Sequence, residues 1–264
     1  MNFNETTITR EIIESYQAKL LDRIESDVII AGAGPSGLVA GYYASKAGLK
    51  VTVMEKRLST GGGIWGGGMA MNEVVIHQDA AAVAREFGVR LRKSSSEGLF
   101  NLDAVELASA LTLKAIQAGV AVFNLVCVED VCVRDQKVTG LVVNQTTILD
   151  KLPVDPLMFK ARAVLDATGH EAAVLQALRK HGYKIFSTTG ELVGEGAMDP
   201  SAGESFVVER TSEVYRGLFV SGMAVCAAFG GPRMGPIFGG MLLSGQKAAS
   251  LMIKDIKGSK TKEE

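Results

Sequence analysis

Six residues, Gly32 to Gly37 (GAGPSG), constrain this chain more than any other stretch. They follow the short β-branched run DVIIA (Asp27 to Ala31) and open the helix-forming segment SGLVAGYYASKAG (Ser36 to Gly48). A GxGxxG pattern alone is weak evidence and often marks only a tight turn. Between a strand and a helix it reads as a nucleotide loop. Gly32 permits the turn, Gly34 lets backbone approach a pyrophosphate, and Gly37 lets helix and strand pack closely. The helix N-terminus at Ser36 offers free N–H groups and partial positive charge to phosphates. A second strand, LKVTVMEK (Leu49 to Lys56), ends with Glu55, 18 residues after Gly37, where a carboxylate can accept hydrogen bonds from ribose hydroxyls. An acid there rather than an arginine disfavours a 2′-phosphate, so the expected ligand is NAD or FAD and not NADP.

The rest of the chain extends this βαβ start. Ile8, Ile12, Ile13, Tyr16, Leu20 and Leu21 recur at helical spacing and predict an N-terminal amphipathic helix within residues 1–25, lying on the body of the fold. TGGGIWGGGM (Thr60 to Met69) has too many glycines for a regular element and reads as backbone lying against something. A helix is expected from Asn101 to Ala118, strands from Ala121 to Asn144 with a turn near Asp135 and Gln136, and the strand ARAVLDATG after Lys160. A helix from about Glu171 to Gly182, a less regular stretch from Tyr183 to Glu213, the strand GLFVSGM (Gly217 to Met223) and a last helix from Phe238 to about Ile256 complete the pattern. Residues 257–264 read as a flexible charged tail. The expectation is a single α/β domain over 1–264: a Rossmann-like FAD/NAD(P)-binding fold with a central parallel sheet and a smaller antiparallel β insertion.

Charge and cysteines bound the partners. The 28 basic and 29 acidic residues nearly cancel, which argues against nucleic acid and for a small-molecule partner. Three cysteines, an odd number without a CxxC pair, argue against a disulfide framework and for a reducing, cytoplasmic setting. No export signal and no long apolar run is apparent, so no membrane partner is expected.

Taken together, GAGPSGL, the pair Glu55 and Lys56, GGGIWGGGM, the spacing from VDP to DATGH, and GMAVCAAFGGPRMGPIFGGMLLSG resemble the thiamine thiazole synthase family over nearly the whole chain. The resemblance implies an enzyme of pentosyl-transfer type that consumes NAD as a substrate. Nicotinamide leaves, glycine condenses with the rearranged ADP-ribose, and sulfur is added to give an ADP-linked thiazole carboxylate for thiamine biosynthesis. It implies iron(II) held by Asp155 and His170, which would serve catalysis, and glycine paired through its carboxylate with Arg233. It places Ser36, Glu55, Lys56, Gly63, Val128 and Met223 along the NAD, and it implies a homo-octamer with sites shared between subunits. The residues alone leave a plainer reading open, in which Asp155 caps a turn beside Pro156 and His170 caps the following helix.

One position departs from the family pattern. Two residues before Asp155, where sulfur-donating members carry Cys and sulfide-using members usually carry His, this chain has Pro153, which has no nucleophilic group. Cys127, Cys132 and Cys226 read as small core residues, so free sulfide is the expected sulfur source. His77, His181 and Trp65 receive no role, although Trp65 could stack on a ring or anchor its loop. Two other classes stay open. A flavin-dependent oxidoreductase would share the loop and strand ends but lacks room here for a large second domain. A non-catalytic NAD-binding protein would have no need for Asp155, His170 and Arg233.

Overall fold

The computed structural model describes residues 4–148 and 154–260. The chain opens with α1 (Glu5–Arg23), β1 (Glu25–Ala31), α2 (Pro35–Lys46) and β2 (Val51–Glu55), the expected βαβ unit. A short three-stranded section follows: β3 (Glu73–His77), α3 (Ala81–Glu86), β4 (Arg92–Lys93) and β5 (Leu99–Asp103). Then come α4 (Ala104–Gln117), β6 (Ala121–Asn124), β7 (Val126–Arg134), β8 (Lys137–Gln145), β9 (Leu157–Asp166) and α5 (Ala173–Lys180). The C-terminal part holds β10 (Gly196–Met198), α6 (Pro200–Arg210), β11 (Ser212–Tyr215), β12 (Leu218–Val220), α7 (Met223–Phe229), β13 (Pro232–Arg233) and α8 (Gly239–Lys260).

The main sheet runs β11-β12-β9-β1-β2-β6, with β8 joined to β9 and β7 to β8. β1 is parallel to β2 on one side and to β9 on the other, so its apolar run is covered on both faces. Val28 and Ile30 enter the core shared with α2, α4 and α8, while Ile29 and Ala31 enter the one shared with β8, α5 and α7. Burying each of Val28, Ile29 and Ile30 stabilises the fold by about 1.5–3 kcal/mol. The antiparallel insertion is the β7–β8 hairpin, turning through Asp135 (φ 49°) and Gln136 (φ 57°) where the sequence placed it.

Several boundaries differ from expectation. β5 occupies the start of the stretch expected as helix from Asn101, and α4 begins only after Asp103, whose Oδ1 accepts from Glu106 N at 2.8 Å. The stretch from Tyr183 to Glu213 contains α6, marked by the cap Asp199 and by Pro200 in the first turn. Met223 does not end a strand: β12 stops at Val220, and Met223 begins α7. Helix α8 continues to Lys260, so the start of the charged tail is helical, and the tail's last residues, 261–264, lie outside the described residues. The N-terminal helix does not lie on the fold along its length. None of its residues is buried, and Ile12 is 64% exposed. It docks near its end, where Tyr16 meets Phe123 edge-on at 5.9 Å and Lys19 Nζ donates to the Val122 carbonyl.

Candidate functional site

The glycine loop is closed by a carboxylate. Glu55 is buried at the end of β2, with Oε2 accepting from Ala33 N at 2.9 Å and Oε1 from Arg57 N at 2.9 Å. Each oxygen has a further lone pair for a ribose hydroxyl. Gly34 caps α2 and Pro35 fills the first helical position, leaving the next N–H groups of the first turn without helical partners. The Thr60-to-Met69 segment folds back on this loop: Gly61 N donates to the Ala33 carbonyl at 2.7 Å. Side-chain space is open at both Gly34 and Gly63, as backbone facing a ligand requires. Trp65 is an anchor, its indole N–H donating to the Thr60 carbonyl at 2.5 Å. Ser36 is buried in the first turn of α2, and Met223 is buried at the start of α7 beyond β12. Two residues earlier, Ser221 is wholly buried, and its hydroxyl finds no partner among the described residues. Val128 stands half-buried on β7, opposite Val143.

At the end of β9 the chain turns through Gly169–Glu171 into α5. Asp166 organises this turn. Its Oδ1 accepts from Thr168 N at 3.0 Å and Thr168 Oγ1 at 2.7 Å, and its Oδ2 from Leu175 N at 3.0 Å. Thr168 Oγ1 in turn accepts from Ala173 N at 2.7 Å, so His170 is not the helix cap. His170 Nδ1 lies 2.7 Å from Glu195 Oε1, and Arg233 Nε lies 3.7 Å from Glu195 Oε2. The next residue, Glu171, pairs with Lys56 at the end of β2. Lys56, His170 and Arg233 are thus linked into one polar rim at the carboxyl ends of β2 and β9. Glu195 was not foreseen; the available signal was an acid between two glycines in VGEGAM.

Asp155 stands apart. It is exposed and precedes β9, whereas His170 follows it, with a ten-residue strand between them that at about 3.3 Å per residue reaches up to about 30 Å. No hydrogen bond or ion pair joins the two among the described residues. Pro153 lies outside the described residues. Among the described residues no group of three or more His, Cys, Asp or Glu side chains could hold a metal ion. An imidazole with one nitrogen engaged by a carboxylate and an exposed carboxylate are each donors of a kind metals accept, but within one chain they stand at opposite ends of β9.

The other two histidines have local partners. His77 Nδ1 is 3.1 Å from Asp79, and His181 Nε2 is 2.8 Å from Asp130. A cavity of about 490 Å³ between α6, α8 and the end of β3 includes His77, Asp79 and Glu204 but none of the residues assigned to dinucleotide, glycine or metal. The three cysteines are free, with Cys127 and Cys226 buried and Cys132 partly buried. Burial raises the thiols of Cys127 and Cys132, and pushes Cys226, with Glu195 adding to the effect, up to about 12. At pH 8 iodoacetamide is therefore expected to leave Cys226 unmodified in the native protein and to label it after denaturation, which peptide mass spectrometry would show. Among the described residues no helix is long and apolar enough to cross a membrane.

A mainly parallel sheet with a glycine turn opening α2, an acid closing β2 and polar side chains gathered at the strand ends defines a Rossmann-like α/β protein. The chain belongs to the Thi4 family, whose model matches residues 9–238. It is 49% identical to the thiamine thiazole synthase of Pyrococcus horikoshii over 96% of this chain and 98% of that protein. It is 46% identical to that of Methanothermobacter thermautotrophicus over 97% and 100%. The crystal structure of Thermovibrio ammonificans THI4 superposes with a TM-score of 0.91 at 43% identity, covering 99% of this chain and 100% of that one.

Proposed function

We propose that this chain is a multi-turnover thiamine thiazole synthase that converts NAD, glycine and free sulfide to an ADP-linked thiazole carboxylate and nicotinamide, using iron(II), in a cytoplasmic setting. The observation that carries this reading is the rim in which His170 and Arg233 share Glu195 while Lys56 meets Glu171 beside them. A dinucleotide lying from the Gly32–Gly37 loop past Gly63, Val128 and Met223 would bring its ribose to Glu55 and its reactive end toward that rim. Arg233 presents a planar guanidinium to the glycine carboxylate. His170 from one chain and Asp155 from another would hold the iron, with positions left open for small ligands; the bound ion supplies Lewis acidity. With no thiol at residue 153 and the other cysteines buried or raised, free sulfide is the sulfur source.

The test is an anaerobic incubation of the protein with NAD, glycine, sulfide and iron(II), followed by mass spectrometry of the small molecules. Several equivalents of ADP-thiazole per chain are expected. Nicotinamide without thiazole would rule out the sulfur step, and unchanged NAD would overturn the whole reading. Asp155→Ala and His170→Ala are each expected to abolish sulfide-dependent turnover; full turnover in either would remove that residue from the metal site.

A shared site requires assembly, proposed here as a homo-octamer. The exposed apolar stripe of Ile8, Ile12 and Ile13 on α1 is the kind of surface another copy would cover. Ile12→Asp with Ile13→Asp is expected to lower the mass seen by light scattering while leaving the melting temperature of the folded chain nearly unchanged.

A further inference from the structure

We infer that Glu195 is a positioning residue that holds the metal-facing imidazole of His170 and the glycine-facing guanidinium of Arg233 in one fixed arrangement. The inference rests on the proposed assignment of those two residues and adds a third that neither the sequence pattern nor the family resemblance pointed to.

The geometry is specific. An ionised carboxylate only accepts, so the 2.7 Å contact places the imidazole hydrogen on Nδ1 and leaves the Nε2 lone pair as the free donor to a metal. The other oxygen lies 3.7 Å from Arg233 Nε, an ion-pair contact rather than a hydrogen bond, so a carboxylate could still approach the two terminal NH2 groups in bidentate fashion. Glu195 is itself fixed. Gly194 N donates to the Ala227 carbonyl at 3.0 Å and Gly196 N to the Gly231 carbonyl at 2.8 Å, so the residue is held between two backbone ties. β10 then pairs with β13, placing Met198 opposite Arg233, and Asp199 N donates to the Arg233 carbonyl at 3.1 Å. The Glu195 side chain is only 17% exposed, whereas those of its two partners are 57% and 51% exposed. The two exposed side chains, which have rotamers to lose, therefore meet one that is largely buried and flanked by backbone ties.

Two readouts besides turnover test this role: iron(II) retention in anaerobic equilibrium dialysis with NAD and glycine present, and the glycine KM. Glu195→Ala is expected to weaken iron retention roughly 10- to 100-fold, the usual effect of removing the carboxylate behind a metal-bound imidazole, and to raise the glycine KM. Glu195→Gln keeps an acceptor for the imidazole N–H but not the charge beside Arg233. It is expected to retain iron close to the parent level while the glycine KM still rises. His170→Ala is the control. If His170→Ala loses iron and both Glu195 variants match the parent in iron retention and glycine KM, the positioning role is wrong and the metal assignment stands. If His170→Ala retains iron, the metal assignment itself has failed. Should Glu195→Ala not fold, Glu195→Gln decides, since an unchanged glycine KM there overturns the link to Arg233.

Discussion

Gly37→Ala is expected to cost about 3 kcal/mol or more in urea unfolding and to abolish dinucleotide retention. A Cβ at this position would overlap the carbonyl oxygen of Gly32 and crowd Ala167 Cβ at 3.3 Å. Both neighbours are built into the turn that links β1 to α2 and into the end of β9, so neither can rotate aside as a flexible side chain would. Relief requires moving α2 away from β1, which opens the core around Val28, Ile30 and Leu38. Gly34→Ala is the discriminating companion, because nothing lies within 4 Å of its Cβ position. It should unfold at nearly the parent urea concentration and still bind the proposed dinucleotide more weakly, since the methyl group would occupy the space its phosphates would take. Parent-like stability in Gly37→Ala would show that the loop has more slack than the close approach implies.

The second large effect concerns Asp166, which is wholly buried and accepts from Thr168 N, Thr168 Oγ1 and Leu175 N. Asp166→Ala strands these donors out of water at about 1–3 kcal/mol each, so a loss of roughly 3–5 kcal/mol is expected in denaturant unfolding. Asp166→Asn keeps one acceptor but turns an amide N–H toward a backbone donor, and should fall between. Burial raises the Asp166 carboxyl above its ordinary range despite these hydrogen bonds. Its folded value therefore exceeds its unfolded one, and the stability it contributes is fullest below the unfolded value near pH 4 and declines as pH rises through the folded value. That decline should be missing in Asp166→Asn. An Asp166→Ala chain as stable as the parent at every pH would show that the donors find water instead. Because Asp166 shapes the turn bearing His170, iron retention should fall in both variants before the fold is lost.

How legible the molecule was depended on the range of the forces involved. The βαβ start could be read because glycine spacing, a continuous apolar strand and a terminal acid are all local signals, and Glu55 bonding Ala33 N is their direct product. Arg233 was reached through the resemblance, and the structure sets it beside the same carboxylate that holds His170. Glu195 was missed because its importance comes from backbone ties to Ala227 and Gly231, more than thirty residues away, which no window of sequence displays. Helix α6 was missed because its apolar pattern is weak, although Asp199 and Pro200 gave a start signal that could have been used. Helix α1 was read correctly as an element but docks only near its end, around Tyr16 and Lys19, not along its length. Periodicity reveals an apolar face but not whether that face meets its own chain or another.

The placement of Asp155 before β9 and His170 after it has a genetic consequence. If one iron site draws each ligand from a different chain, the two residues need not be intact in the same polypeptide. Chains carrying Asp155→Ala, inactive by themselves, and chains carrying His170→Ala, equally inactive, would restore working sites when co-expressed, because the first lends its histidine where the second lends its aspartate. Two defective alleles would complement each other within one oligomer, and a single bad allele would be dominant only in proportion to the sites it enters.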